Sequence, residues 1–593
     1  MKEDKSFIIV GKFMISGKRS RVLVNRNCII CESEDQPSQR TIVPLNLVVA
    51  LKTCFCSKIK KSTCDCLKKE ENQNFYSSSG DLTPGTDTSA NRDSATNTGN
   101  KNIDSDQNQN VSPVVKLKHI RIYYAVPSGQ FSYKLTHLIV DPVEQSDAEL
   151  RNWIESVNNL LQEFERPKRL MVFVNPYGGK RRGPKIYSHK VLPLFKIAGC
   201  TVDCIITQRA NHARDVIMDS TFPVTSYDGL ICVGGDGMFS ELLNGLLLRT
   251  QEEANVNYHS TQSELKRPVT PIGVIPAGST DAVCFGVCGN NDPVTAALHV
   301  ILGNQINIDV SAVHSSRDEE QLIRYATTLL GYGFLGDTML ASEKSRWMGP
   351  KRYDWAGFKK VLGHKVYQGE IKLHVSTEDG SPKDRDICAS NCPLCAKSAF
   401  RAKYENDPDK REINDGVVCM AIRGGFIAVN AVTMSCRCEK AKRGLSPAAH
   451  LGNGCADLIL VSKCSRANYL RFLMRIASNG KSPFDLDFVD VYRVKEFEFN
   501  PIVSPEGSSK KYKVSDASVW NCDGEVISEP ALHVKVHCQL VPLFGNGGEN
   551  RDLGKNGSFF LSSKNKVHSI SPEKNIINGQ TADISVNAIE QTS

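Results

Sequence analysis

The chain has 593 residues, with 73 Lys plus Arg against 65 Asp plus Glu, a net charge of +8, 40% hydrophobic and 23% charged residues. That length suits about two to four ordinary domains, and the balance is globular, which excludes a wholly disordered chain. The small charge excess does not form the basic stripe of a nucleic-acid binder, so no nucleic-acid partner is expected; it does suit contact with anionic phosphate or an anionic membrane face. No apolar run approaches the ~18–20 residues of a membrane span. The apolar run Phe7 to Val10 is too short for a signal peptide, so a cytoplasmic chain is expected. The 21 cysteines then read as reduced thiols or metal ligands.

In chain order, residues 1–56 hold short β-like runs. Residues 57–112 turn polar and Ser/Asn/Asp-rich, which predicts a disordered insertion. KLKHIRIYYAV and SYKLTHLIVD are two more strands around a turn at Pro127–Gly129. SDAELRNWIESVNNLLQEF predicts a helix capped by Ser146 or Asp147, with Leu150, Trp153, Ile154, Val157, Leu160, Leu161 and Phe164 on one face. Strands closed by one amphipathic helix carrying a Trp resemble a pleckstrin-homology domain. Residues 1–166 are therefore expected to form a PH-like β-barrel that docks on a membrane surface. Another small barrel, or an extension of the next domain, is the alternative.

From 167 the pattern alternates β and α, which predicts a parallel sheet flanked by helices over 167–307, an α/β, Rossmann-like, doubly wound lobe. From 308 to 544 β-like segments dominate, which predicts a mostly antiparallel β-rich lobe. Residues 545–593 read as a disordered tail.

In an open α/β sheet, ligands bind beyond the carboxyl ends of the strands. Here those ends are Asn175-Pro176-Tyr177-Gly178-Gly179-Lys180, Thr207-Gln208-Arg209-Ala210-Asn211-His212-Ala213, Gly234-Gly235-Asp236-Gly237 and Pro276-Ala277-Gly278-Ser279-Thr280-Asp281. Glycines let the backbone approach a phosphate, and a helix start offers N–H groups to it. Asp236 is a carboxylate where phosphate would be repelled, so it makes sense as a Mg²⁺ ligand or a proton acceptor. Taken alone, Gly-Gly-Asp-Gly could be a tight turn; four such strand ends together favour nucleotide binding. No P-loop, H-R-D or D-F-G is present.

Asn-Pro-x-x-Gly-Gly, Gly-Gly-Asp-Gly and Pro-Ala-Gly-Ser-Thr-Asp resemble the diacylglycerol-kinase catalytic family, which includes sphingosine and ceramide kinases. LICVGGDGMFSELLNGL, IPAGSTDAVC, LLGYGFLGD, SEKSRWMGPKRYDW, RGLSPAAHLG and VWNCDGEVI are similar to the ceramide kinases within it, and the likeness runs from about 118 to 544. The resemblance implies a lipid kinase that uses ATP and Mg²⁺ to phosphorylate the primary hydroxyl of ceramide, giving ceramide 1-phosphate. A sphingosine or diacylglycerol kinase, or an inactive lipid-binding relative, are the alternatives.

By position, the resemblance implies Asp236 as the catalytic proton acceptor, with Gly234, Gly235 and Gly237 beside it at the substrate. It implies ATP contacts from Asn175, Pro176, Tyr177, Thr207, Gln208, Arg209, Ala210, Asn211, Glu241, Gly278, Ser279 and Thr280. Arg346 and Arg352 would reach the phosphates, although a solvated basic patch is the bland alternative. Asp523, Gly524 and Glu525 would close the site from the far end of the chain. In sphingosine kinases an acidic residue of the second lobe meets the substrate amine; Met339 stands at the matching position.

Cys388-x₃-Cys392-x₂-Cys395 could hold a structural Zn²⁺, or could be free thiols in a surface loop. The expected location is the cytoplasm, peripherally on Golgi or plasma membrane.

Overall fold

A computed structural model of the chain describes residues 9–38, 40–54, 119–129, 131–317, 321–343, 351–376, 381–383, 387–405, 417–439, 441–478, 481–502 and 517–548. The insertion expected over 57–112, nearly all of the tail expected over 545–593, and Arg346 lie outside these residues. Contacts divide the chain into two compact units, Met1–Tyr124 with Thr136–Glu163, and Ala125–Leu135 with Phe164–Ser593.

The first unit is built on seven strands: β1 (Ile9–Ile15), β2 (Lys18–Val24), β3 (Cys28–Ser33), β4 (Arg40–Pro44), β5 (Val48–Cys54), β6 (His119–Pro127) and β7 (Tyr133–Pro142). They run in the order β4-β3-β2-β1-β7-β6-β5. The end strands β4 and β5 are not paired to each other, so the sheet is an open path and a closed barrel is not established. Helix α1 (Asp147–Gln162) starts with a capping box in which Ser146 and Glu149 satisfy each other's backbone N–H groups. Leu150, Trp153, Val157 and Leu160 are its buried face, and Trp153 meets Phe13 edge-on with ring centroids 5.0 Å apart. Ile154, Leu161 and Phe164, expected on that face, are only half-buried.

The second unit opens with four parallel strands, β8 (Arg169–Val174), β9 (Thr201–Ile206), β10 (Gly229–Gly234) and β11 (Ile272–Pro276), ordered β11-β10-β8-β9. Strands β8, β10 and β11 are apolar and buried along nearly their whole length, as strands covered on both faces must be. The connecting helices are α2 (Gly183–Ile186) and α3 (Leu192–Ala198), α4 (His212–Met218), α5 (Asp236–Glu253), α6 (Ala282–Cys288) and α7 (Pro293–Leu302). The strand order reverses between β8 and β10, the switch point at which open α/β sheets bind ligands.

The remaining strands are β12 (Gln305–Ser315), β13 (Leu322–Ala326), β14 (Leu329–Gly333), β15 (Tyr367–Ser376), β16 (Val417–Val432), β17 (Ala456–Ser462), β18 (Val489–Pro501), β19 (Trp520–Cys522), β20 (Glu525–Ile527) and β21 (Leu532–Phe544). They pair antiparallel, around a core that includes Tyr332, Phe497, Phe499 and Trp520. Among the described residues four α-helices interrupt them: α8 (Phe334–Glu343), α9 (Lys351–Gly363), α10 (Pro393–Glu405) and α11 (Arg466–Ala477).

The two halves of this unit share one sheet. Strand β21 runs parallel to β11 at Ile272–Leu543 and antiparallel to β12 and β18. The chain's last strand thereby joins the α/β part to the β-rich part, which a lobe-by-lobe reading of the sequence does not anticipate. Beyond it, Gly545 N–H bonds Asn304 O, and the N–H groups of Asn546 and Gly547 bond Val287 O, so the first residues of the expected tail are tied to the fold.

Candidate active site

Three loops meet at the carboxyl end of the parallel strands. A Cβ on Gly278 would lie 2.5 Å from the Gly235 Cα, and one on Gly179 would lie 2.8 Å from the carbonyl oxygens of Ala277 and Gly278. Glycine is required at these positions because backbone packs directly on backbone. Asn175, at the end of β8, spends its Oδ1 on the N–H groups of Tyr177 (2.8 Å) and Gly178 (3.0 Å), which shapes its own turn.

Helix α5 begins at Asp236 behind Gly235, an extended N-cap with no side-chain capping bond. Within that first turn the Met238 and Phe239 N–H groups both bond Gly235 O, at 3.0 and 3.2 Å. The Asp236 Oδ1 accepts a 3.0 Å bond from Val283 N–H in the first turn of α6, so one helix start holds the carboxylate that opens the next. Burial raises the Asp236 pKa, the N–H groups of Val283 and Ala282 oppose it, and the Asp523 charge adds to it. Asp281, the buried N-cap of α6, accepts a 2.9 Å bond from Gly278 N–H. Burial and the neighbouring Asp236 push the Asp281 carboxyl up to about 7. Two neighbouring carboxylates with raised proton affinity suit proton transfer or a divalent cation.

Beside them opens a cleft of about 400 Å³ lined by Asn211, Arg214, Ser240, Glu241, Asn244, Arg324 and Glu525, among others. Asn244, buried in α5, clasps β13 through Tyr325: its Nδ2 donates to Tyr325 O (3.1 Å) and its Oδ1 accepts from Tyr325 N–H (2.9 Å). That clasp fixes Arg324, which donates to the Glu525 carboxylate (2.5 Å) and to Ser240 Oγ (3.0 Å). Glu241 accepts a bond from Ala213 N–H (3.3 Å); burial raises its pKa, and the N–H groups of Asn211 and Ala213 oppose that rise.

Of the residues singled out in the sequence, Asn211, Glu241 and Glu525 line this cleft. Asn175, Gly234, Gly235, Asp236 and Gly278 form the adjoining junction of loops. Pro176 is half-buried beside the exposed Tyr177, and Gly237, Ser279 and Thr280 are exposed. Gln208, Arg209 and Ala210 lie exposed at the end of β9; Thr207 is buried, and Arg209 pairs with Asp215 at 2.6 Å. Arg352 lies on α9, and its side chain is outside the described residues.

Asp523 is tied to the segment between β13 and β14. Its buried carboxylate accepts from the N–H groups of Thr327 (2.8 Å), Thr328 (3.0 Å) and Leu329 (2.9 Å) and from Thr328 Oγ1 (2.5 Å). Those bonds pin the start of β14 to the β19–β20 turn. Gly524, at φ +91°, then turns the chain so that Glu525 reaches the cleft.

The diacylglycerol kinase catalytic domain profile matches residues 169–313, and that of the ceramide kinase C-terminal domain matches 329–556. Human ceramide kinase is 44% identical over 423 residues, covering 67% of this chain and 77% of the human protein. The chain belongs to the ceramide kinase family. Ceramide kinase 1 of Caenorhabditis elegans is 34% identical over 66% of this chain and 69% of its own length. Ceramide kinase of Arabidopsis thaliana is 32% identical over 67% and 76%. In this family member, sequence reasoning missed Arg324, Ser240 and Asn244, and passed over Asp281 although it ends a quoted motif. The visible signal for Arg324 was an arginine at an alternate position of the apolar strand LIRYA.

A second cluster lies elsewhere in the unit. Cys388, Cys392 and Cys395 are joined by His450, which was not anticipated, and their donor atoms all lie within 4.8 Å of one another.

Proposed function

We propose that this chain is an ATP-dependent lipid kinase that transfers the γ-phosphate to the primary hydroxyl of ceramide, giving ceramide 1-phosphate. The observation that carries the reading is the identity of 44% over 423 residues with human ceramide kinase, beside family matches over 169–313 and 329–556.

The triphosphate lies at the start of α5 and against the loops at Gly179 and Gly278, where small residues leave room for backbone contact. Asn211, Glu241 and Glu525 border the nucleotide, Arg324 holds Glu525 in place, and Arg346 and Arg352 supply positive charge for the phosphates. Asp236 takes the proton of the hydroxyl as it attacks in line; burial, which raises its pKa, makes it a better base, and the α6 N–H group keeps it oriented. Mg²⁺ fits the donor set, because Asp281 beside Asp236 gives two oxygen ligands whose repulsion a divalent cation relieves. Bound with ATP, such an ion would supply charge neutralisation at the phosphate oxygens.

The first unit supports peripheral docking at a membrane. Its strand order and its closing helix with Trp153 suit a PH-like module, and the exposed Lys12 and Arg21 are cross-strand partners on β1 and β2, offering positive charge to anionic lipid. No helix among the described residues is long and apolar enough to cross a membrane. The cytoplasmic face of the Golgi or plasma membrane is the proposed location. Charge reversal at Lys12 and Arg21 together should weaken sedimentation of the full chain with anionic vesicles and leave ATPase-independent nucleotide binding unchanged; equal sedimentation refutes docking by this face.

Turnover of labelled ATP with ceramide in mixed micelles tests the enzymatic reading, and absence of labelled lipid overturns it.

A further inference from the structure

Three thiols and one imidazole form a cluster for which the kinase chemistry has no use. We propose that Cys388, Cys392, Cys395 and His450 bind one structural Zn²⁺, and that this site locks the loop before β17 beneath helix α6.

The geometry is that of a tetrahedral metal site. A zinc with Zn–S bonds of about 2.3 Å sets sulfur atoms about 3.8 Å apart, and an imidazole nitrogen about 3.5 Å from each sulfur. Here Cys388 Sγ and Cys395 Sγ are 3.8 Å apart, Cys392 Sγ and His450 Nδ1 are 3.2 Å apart, and all four donors fall within 4.8 Å of one another. A disulfide needs sulfur atoms at about 2.05 Å, and the three cysteines are free. A disulfide would in any case leave one thiol and the imidazole over. Cys388, Cys392 and His450 are buried, a costly place for polar donors that meet mainly one another. Three thiolates with an imidazole select zinc over the hard cations Mg²⁺ and Ca²⁺.

The surroundings are organised as those of a metal site are. Leu451 N–H points at Cys388 Sγ (3.5 Å), a bond that stabilises a thiolate. Gln539, on β21, donates through its Nε2 to Cys395 O and Gly452 O, both at 2.8 Å, and so ties the cysteine segment to the histidine loop. Cys392 precedes α10 and Cys395 lies in its first turn, while His450 comes from the loop between β16 and β17. A single ion would therefore join segments more than fifty residues apart in sequence.

The consequence reaches the active site through one packed contact. A Cβ on Gly286 of α6 would lie 3.6 Å from Leu451, the residue after His450, so α6 rests on this loop. The first turn of the same helix gives its Val283 N–H to Asp236. Losing the ion would loosen the seat of α6 and lower kcat more than it raises KM for ATP.

Metal analysis of the full chain after gel filtration in a weak chelator tests the site. The expected stoichiometry is about one zinc per chain. Cys392→Ala and His450→Ala should each lower it at least fivefold, while His450→Cys should retain zinc in an all-thiolate site. Cobalt-reconstituted wild type should show tetrahedral d–d bands, absent in His450→Ala. Should the alanine variants not fold, the wild-type stoichiometry and His450→Cys still decide. Less than a tenth of a zinc per chain, with the three thiols titrating freely in the native protein, overturns the proposal, as does full zinc retention by His450→Ala.

Discussion

The Arg324 guanidinium and the Glu525 carboxylate meet at 2.5 Å, joining β13 to the β19–β20 turn across a separation of 201 residues. The same arginine donates to Ser240 Oγ, one turn into the helix that Asp236 begins. Arg324 and Glu525 both line the cleft that Asn211 and Glu241 also line. A charge-assisted bond of this kind contributes about 1.5–3 kcal/mol, although Glu525 is partly exposed and solvent weakens its share. Arg324→Gln should therefore raise KM for ATP by about tenfold with a smaller change in kcat. Steady-state kinetics with ATP varied checks this; an unchanged KM would remove the bridge from the site.

Asp281 beside Asp236 makes a pH prediction. The Asp236 charge raises the Asp281 carboxyl, so Asp281 is the second of the pair to ionise; Asp281→Asn removes that step, and a titration near 7 in the wild-type kcat/KM profile should be missing from the variant's. The amide oxygen can still accept from Gly278 N–H. Stability changes in the corresponding sense. The Asp281 pKa is raised on folding to about 7, so the wild-type chain loses stability as pH rises through that value, and the Asn variant does not. Denaturant melts at acid and alkaline pH measure the difference; parallel pH profiles of activity and stability in the two proteins would contradict it.

Much of this site is legible in the sequence because its chemistry is local. Gly234 to Gly237 predicts a strand-to-helix turn, and the structure places α5 there; Pro276 to Asp281 predicts a second loop, and Gly278 packs on Gly235. What the sequence hides depends on long-range pairing. Arg324 matters only once Asn244 clasps β13, and His450 meets Cys392 across 58 residues of chain. Asp523 resembles a ligand contact in its motif, yet backbone N–H groups claim its carboxylate, which no residue pattern reveals. The sharing of one sheet by both halves of the second unit was equally hidden, because β21 joins it only by returning from the chain's far end.

Asp523 should accordingly act on folding before it acts on nucleotide affinity. Asp523→Ala leaves three backbone N–H groups without their acceptor, at a cost of about 3 kcal/mol or more. A fall in thermal stability should accompany any loss of activity. Full stability with weakened ATP binding would instead make Asp523 a direct nucleotide contact.

Lipid choice should depend on the side chain at position 339. Met339 is half-buried on α8. Asp337, two residues earlier, is buried and engaged by Tyr367 Oη (2.6 Å), Ser518 Oγ (2.7 Å) and Lys360 Nζ (3.4 Å). An ammonium entering here meets an Asp337 already engaged and loses its water, whereas an uncharged amide with a second acyl chain suits methionine. Met339→Asp should reduce turnover of ceramide about tenfold or more and admit sphingosine. Unchanged relative rates on the two lipids would show that this position does not select the substrate.

Labelled ATP offered with ceramide, sphingosine or diacylglycerol at matched surface concentration, to the wild-type chain and to Asp236→Asn, tests the catalytic reading most directly. The wild type should label ceramide and leave the other two nearly untouched. The Asn variant should lose at least about a thousandfold in kcat while still binding ATP, because the amide keeps the shape but cannot take the proton. Equal labelling of all three lipids, or an Asp236→Asn variant within a few-fold of wild type, would contradict it.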